Sequence, residues 1–301
     1  MFWNIVLLIV GMVLLIKGAD FFVDGASNIA KALKVPALII GLTLVALGTS
    51  APEASVSITS AAQQLNDLSV GNIIGSNIFN TILILGISSL IVPLTISKEM
   101  KTYDLPILLA IYGTLIIFSF VITPYVLTLA EGIIFLLLFV LYMLFLVLRA
   151  KQTIKAIGNQ DVEVEKKKPV WLSIILSVVG LACIIFGGNL VVDNASELAI
   201  RVGMSEALVG LTIVSVGTSL PELVTSLVAC IKKEEDIAVG NVVGSSIFNI
   251  IFILGMSATI TPLTIDSSLF VDTLVMLGTG IMLLIISQFF KKTIKIILLY
   301  Y

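Results

Sequence analysis

The chain reads as an all-α polytopic membrane protein, built from two inverted five-helix repeats. Three features of the sequence predict that class. It is 58% apolar and only 12% charged over 301 residues, with a mean hydropathy of +1.17. A soluble domain carries about twice that share of charge. Apolar runs of roughly 20 residues, enough to cross a ~30 Å hydrocarbon core, recur along the whole chain. They are continuously apolar and do not alternate, which argues against a membrane barrel. Finally, one stretch is stated twice. GLTLVALGTSAPEASVS and DLSVGNIIGSNIFN, within 41–80, return as GLTIVSVGTSLPELVTS and DIAVGNVVGSSIFN, within 210–249, at a constant offset of 169 residues. Ten of 17 positions are identical in the first pair and nine of 14 in the second.

The elements follow in order. The N-terminus lacks a positively charged leader, and its apolar run is longer than that of a signal peptide, so it reads as a retained first span. Spans are expected at 2–30, 36–63, 69–93, 102–122, 126–149, 170–198, 205–231, 238–261 and 268–289. TIKIILLYY at the end is too short to cross, so the tenth of ten transmembrane helices is read as short or truncated. Positive charge collects in alternate loops: Lys31 and Lys34, Lys98 and Lys101, Arg149 to Lys168, Lys232 and Lys233, then Lys291, Lys292 and Lys295. Arg201 is the exception. The positive-inside rule then puts the N-terminus outside a plasma or inner membrane and the linker 150–169 in the cytoplasm. That linker separates a first repeat, 1–149, from a second, 170–301. Five spans per repeat force the second to enter the membrane the other way up, with the binding site at the midplane. Lys17, inside the first span, has Phe186 as its counterpart and reads as snorkelling or pairing with Asp20.

Composition also excludes classes. Net charge is −2, so no basic surface points to nucleic acid. There is no His, the usual transition-metal ligand and proton shuttle. Cys183 and Cys230 sit in apolar runs as small hydrophobes. No nucleophile stands beside a base, so no enzyme is read here. No cofactor and no obligate protein partner are implied. The lipid bilayer is the surrounding medium.

Each repeat places one carboxylate, Glu53 or Glu222, in an otherwise apolar run, where an ionisable group is costly and marks function. Pro52 removes an N–H and clashes one turn back at Gly48, so helices 2 and 7 should break near their GTSxPE motifs and free carbonyls such as that of Ala46. Thr49, Ser50, Glu53 and Ser57 share a helix face by spacing, as do Ser215, Thr218, Ser219, Glu222 and Ser226. Ser76 with Asn80, and Ser245 with Asn249, add a polar face from spans 3 and 8. Gly71, Gly75, Gly240 and Gly244 permit close helix contact. Asn72 and Asn241 fit either the site or a helix-to-helix hydrogen bond. All the donor atoms are oxygens, a set that suits hard cations such as Ca²⁺ or Na⁺. Two ionised glutamates balance one Ca²⁺.

At these motifs the chain resembles the cation/calcium exchanger superfamily, and most of all its prokaryotic sodium/calcium exchangers. GTSAPE with GNIIGSNIFN, and GTSLPE with GNVVGSSIFN, correspond to that family's two α-repeats. The resemblance implies four cation sites between spans 2, 3, 7 and 8. Glu53 and Glu222 would be the central Ca²⁺ ligands. Thr49, Ser50, Thr218 and Ser219 would add hydroxyl or carbonyl oxygens. Ala46 and Ser215 would offer backbone carbonyls to outer Na⁺ sites that Ser76 and Ser245 complete, while Asn80 and Asn249 line the centre. Some relatives, including potassium-dependent ones, carry Asp at the position of Asn249, and the amide here disfavours K⁺ co-transport. The implied activity is electrogenic antiport by alternating access, three Na⁺ against one Ca²⁺, with Sr²⁺ and Mn²⁺ as further candidate cargo. Spans 1 and 6 would slide as a gate. A H⁺/Ca²⁺ antiporter using the same glutamates is the nearest alternative, although proton-coupled relatives place an acid where Gly75 and Gly244 stand. A passive channel or cation-sensing scaffold is a further one.

Overall fold

The computed structural model describes residues 1–157, 169–205, 209, 212–213 and 215–289. Most of the 150–169 linker, the start of the second motif around Gly210 and the expected tenth span lie outside the described residues. Helices α1 (Phe2–Leu33), α4 (Asn66–Ile91), α5 (Met100–Ile122), α6 (Leu129–Ile157), α7 (Val170–Arg201), α10 (Glu235–Ile260) and α11 (Leu269–Phe289) are each long and apolar enough to cross a membrane. An eighth span is the bent pair α2 (Ala37–Thr49) and α3 (Ala51–Ala62), which meet at 50°. Between α7 and α10 lie α8 (Ser215–Thr218) and α9 (Leu220–Ile231). The chain is a multi-pass integral membrane protein.

Local chemistry sets several boundaries. α1 stops at Lys34, which is left-handed (φ 56°), and the Val35 N–H reaches back to the Ala30 carbonyl at 2.9 Å. Pro36 then prevents the helix from continuing. α6 starts at a capping box. The Thr128 N–H and hydroxyl donate to Glu131 Oε2 at 2.7 and 2.8 Å, and the Glu131 N–H returns to Thr128 Oγ1 at 3.4 Å. Among the described residues, the fold departs from all-α at one small place. β1 (Val126–Leu127) pairs antiparallel with β2 (Leu263–Thr264), tying the loop after α5 to the loop after α10. These loops leave the helices with unpaired backbone groups, and pairing satisfies them.

α10 is the centre of the molecule: 94% of its spanning window is buried, against 56% for α4 and 17% for the lipid-facing α6. α1 and α7 form a separate pair along a seam of glycines. A Cβ on Gly18 would sit 2.8 Å from the Gly180 carbonyl oxygen, and one on Gly187 would sit 2.8 Å from the Gly11 carbonyl oxygen. Backbones that close admit no side chain, which is how small residues join helices without a hydrophobic driving force. Lys17 is exposed along α1. It does not take Asp20. Lys232, at the end of α9, does, at 2.7 Å, and it reaches Asp24 at 2.6 Å. Beside it Lys31 meets Glu234 at 3.0 Å, and Ser27 donates to the same carboxylate. α5 and α6 are joined by a buried ion pair, Arg149 to both oxygens of Asp104 at 2.9 and 3.0 Å.

Candidate cation site between the broken helices

Both breaks have the same backbone geometry. Ser50 (φ −80°, ψ 9°) separates α2 from α3, and Ser219 (φ −89°, ψ 6°) separates α8 from α9. Each serine opens a new helix by accepting an N–H at its carbonyl, from Ala54 at 3.0 Å and from Leu223 at 3.1 Å. An N-cap serine normally turns its hydroxyl onto the helix's own first N–H groups. Neither does so here. The Ser50 hydroxyl donates to Glu222 Oε1 at 2.9 Å, and the Ser219 hydroxyl donates to Glu53 Oε1 at 2.9 Å. The two motifs are thus cross-linked through their carboxylates, each held by the other's serine.

Around this crossing, Thr49, Ser50, Glu53, Asn80, Ser219, Glu222, Ser245 and Asn249 have no exposed surface, and Ala46, Ser76 and Thr218 are also buried. Ser76 Oγ lies 3.1 Å from the Ser219 hydroxyl, and Ser245 Oγ lies 3.5 Å from the Ala46 carbonyl oxygen. Ser215 is the exception; its side chain is exposed, and its carbonyl lies 3.3 Å from Thr218 Oγ1. The break does not free the Ala46 carbonyl as expected, because it still accepts the Ser50 N–H at 3.1 Å. The helix runs intact up to Ser50, one turn further than the proline alone suggests. Its other contacts are long, Thr49 Oγ1 and Ser245 Oγ at 3.5 Å each, so the second lone pair can still turn to a cation.

Asn72 and Asn241 prove to be helix-to-helix ties. The Asn72 amide donates to Ser57 Oγ at 2.9 Å, and that of Asn241 donates to Ser226 Oγ at 3.0 Å. Thr49 Oγ1 lies 2.9 Å from Asn241 Oδ1, against 3.4 Å for the equivalent Thr218–Asn72 pair.

After these bonds, five buried atoms of this site have no protein partner among the described residues: Glu53 Oε2, Glu222 Oε2, Asn249 Oδ1 and both amide atoms of Asn80; the other such atoms are, but for one asparagine oxygen, hydroxyls elsewhere in the fold. Buried polar groups are ordinarily satisfied, so such a cluster calls for an explanation. Four of the five are oxygens, two of them on carboxylates, which is the donor chemistry of a hard cation. Both asparagines also begin π-helical turns, Asn80–Ile84 and Asn249–Leu254. Such turns tend to mark functional positions in helices. The repeat itself carried no signal for them.

On α10, a Cβ at Gly240 would meet the Leu38 carbonyl oxygen at 2.8 Å, and one at Gly244 would meet Ala46 Cβ at 2.8 Å. On α4, among the described residues, Gly75 has nothing within 4 Å and Gly71 only Leu269 at 4.0 Å; the stretch around Gly210, the counterpart of the one that Gly240 meets, lies outside them. A cavity of about 310 Å³ opens beside the breaks, lined by Pro52, Ser55, Asn189, Asp193, Thr218 and Pro221 among others.

Comparison with known proteins agrees with this architecture. The family described as sodium/calcium exchanger protein matches residues 3–148 and 172–298. The sodium/calcium exchanger MaX1 of Methanosarcina acetivorans is 34% identical, over 94% of this chain and 90% of its own. The inner membrane protein YrbG of Escherichia coli is 40% identical, over 86% of this chain and 81% of its own. Among solved structures, the sodium-calcium exchanger NCX_Mj, soaked with zero Na⁺ and Ca²⁺, superposes with a TM-score of 0.82 at 30% identity, covering 96% of this chain and 92% of that one. MaX1 and NCX_Mj are exchangers, not enzymes, and the chain belongs to the sodium/calcium exchanger protein family.

Proposed function

We propose that this cation/calcium exchanger couples Na⁺ entry to Ca²⁺ exit, with Glu53, Glu222, Asn80 and Asn249 forming the central cation site. The observation that carries this reading is the buried set of unpartnered atoms on those four residues. Each glutamate has one oxygen fixed by a serine and one left for a cation. Ca²⁺ takes six to eight oxygens. Thr49, Ser50, Thr218 and Ser219, with the carbonyls of Ala46 and Ser215, are the further candidates, and Ser76 and Ser245 complete flanking Na⁺ sites. Na⁺ and Ca²⁺ then compete for shared oxygens, and that competition couples the two fluxes. With three Na⁺ for one Ca²⁺, one net charge moves per cycle, worth about 2.3 kcal/mol per 100 mV.

The same reading takes residues 1–149 and 170–301 as inverted five-helix repeats in a ten-helix fold, joined by a cytoplasmic 150–169 linker, with the N-terminus outside. In that orientation the cavity beside Asp193 faces the exterior, and the Lys232 cluster closes the interior. The glycine seam supports α1 and α7 moving as one gate over a fixed site. The absence of an acid at Gly75 and Gly244 favours Na⁺ over H⁺ as the coupling ion.

The test is ⁴⁵Ca²⁺ uptake into proteoliposomes loaded with Na⁺ and diluted into Na⁺-free buffer. Uptake that requires internal Na⁺, and reverses with a membrane potential, is the expected result. Uptake indifferent to Na⁺ but driven by a pH step would replace the coupling ion. Uptake needing neither gradient would make the protein a passive pathway.

A further inference from the structure

We propose that Asn77 is a positioning residue: it fixes which atom Asn249 turns toward the cation, and so requires an uncharged ligand at that position. This rests on the central site proposed above. Asn77 is fully buried on α4. Its Nδ2 donates to the Ser246 backbone carbonyl at 3.1 Å, with Met276 Sδ at 3.7 Å as its other neighbour. A backbone carbonyl only accepts, so the Asn77 amide cannot be reversed without setting oxygen against oxygen. Its Oδ1 must then face Asn249, whose Nδ2 donates to it at 3.0 Å. Asn249 is left with Oδ1 turned away from Asn77, buried and unpartnered. A relay of two hydrogen bonds thus runs from the α10 main chain through an α4 side chain and back to α10, and it presets a ligand oxygen.

The other repeat lacks this device. The counterpart of Asn77 is Ser246, whose hydroxyl is committed to the Val242 carbonyl at 2.9 Å. Neither amide atom of Asn80 is engaged. One asparagine is therefore oriented before a cation arrives, and the other is not. The relay also discriminates against charge. A carboxylate at 249 would bring a second acceptor against Asn77 Oδ1. Asn77 thereby holds the four central residues at two negative charges, the match for a single divalent ion.

Two double-mutant cycles test this. The first needs no transport: thermal midpoints of detergent-purified protein without added Na⁺ or Ca²⁺. Asn249→Asp should lower the midpoint by roughly 5 °C when Asn77 is present, and by less than half of that in an Asn77→Ala background, where the opposing oxygen is gone. The second reads Ca²⁺ uptake. Asn77→Ala should raise the KM for Ca²⁺ about tenfold with the maximal rate within about threefold, and should change KM by less than about twofold once Asn249 is already Ala. Asn77→Ser, the residue of the other repeat, replaces Asn77→Ala in both cycles if the alanine variant does not fold. Equal midpoint losses in both backgrounds, or additive KM effects, would overturn the assignment. A wild-type chain inert in Na⁺-driven uptake would sink the exchanger reading instead, and the thermal cycle would still decide whether Asn77 orients Asn249.

Discussion

The two copies of the motif are nearly the same sequence, yet they sit in different surroundings. At the centre they are equivalent, each serine clasping the opposite glutamate at 2.9 Å. Away from the centre they diverge. Lys232 gathers Asp20 and Asp24 on one side, while Asp193, the counterpart of Asp24, lines a cavity on the other. A chain whose halves are related by sequence can hold only one half closed at a time if its site is to open to one side. The charge cluster at Lys232 and the cavity beside Asp193 are the form this takes here.

The symmetric centre gives the largest expected effect. Glu53→Gln and Glu222→Gln should each reduce ⁴⁵Ca²⁺ uptake by about a hundredfold or more, because a desolvated charge that meets a cation is worth several kcal/mol. A large loss in one and a small loss in the other would break the equivalence. Next comes the packing of α10 on α2. Gly240→Ala should destabilise the protein by about 1–3 kcal/mol through overpacking. Thermal unfolding in detergent measures the loss, and an unchanged midpoint would mean that α2 gives way to the added methyl.

Accessibility sharpens the same contrast. In a chain with Cys183 and Cys230 replaced by Ala, Ser55→Cys on the cavity wall should react with a membrane-impermeant thiol reagent about tenfold faster than Val224→Cys, its counterpart in the other repeat. Equal rates would mean that both sides are open in solution. The smallest effect is at the charge cluster. Lys232→Met should cost no more than about 1 kcal/mol, because the Lys232, Asp20 and Asp24 side chains are 23%, 39% and 42% exposed and solvent screens their attraction.

Much of this was legible in the sequence, and the remainder has identifiable causes. The span positions follow from apolar length, and both helix breaks follow from Pro52 and Pro221. The burial of Glu53, Glu222, Asn80 and Asn249 follows from their repeated spacing. The fate of the Ala46 carbonyl was not legible, because a proline one turn on predicts a lost bond at Gly48 but not how far upstream the helix holds. The cavity beside Asp193 was hidden for a different reason. A repeat reports what two segments share, and packing against different neighbours is what they do not. Asn77 escaped notice on the same ground. It is one of the 12 positions among the 31 where the copies differ, Asn against Ser, and identity between the copies does not mark it. Its role became visible only with the Ser246 carbonyl beside it.

The seam between α1 and α7 has a consequence for biosynthesis. The glycine notches of α1 are filled by α7, and α1 leaves the ribosome roughly 170 residues ahead of its partner. At synthesis rates of about 5–20 residues per second, that is a wait of some 10–30 seconds. Throughout it, α1 lies in the bilayer with Lys17, Asp20 and Asp24 on its surface and no α9 lysine yet made to meet the two aspartates. The interval ends when the second half of the chain arrives to close the seam.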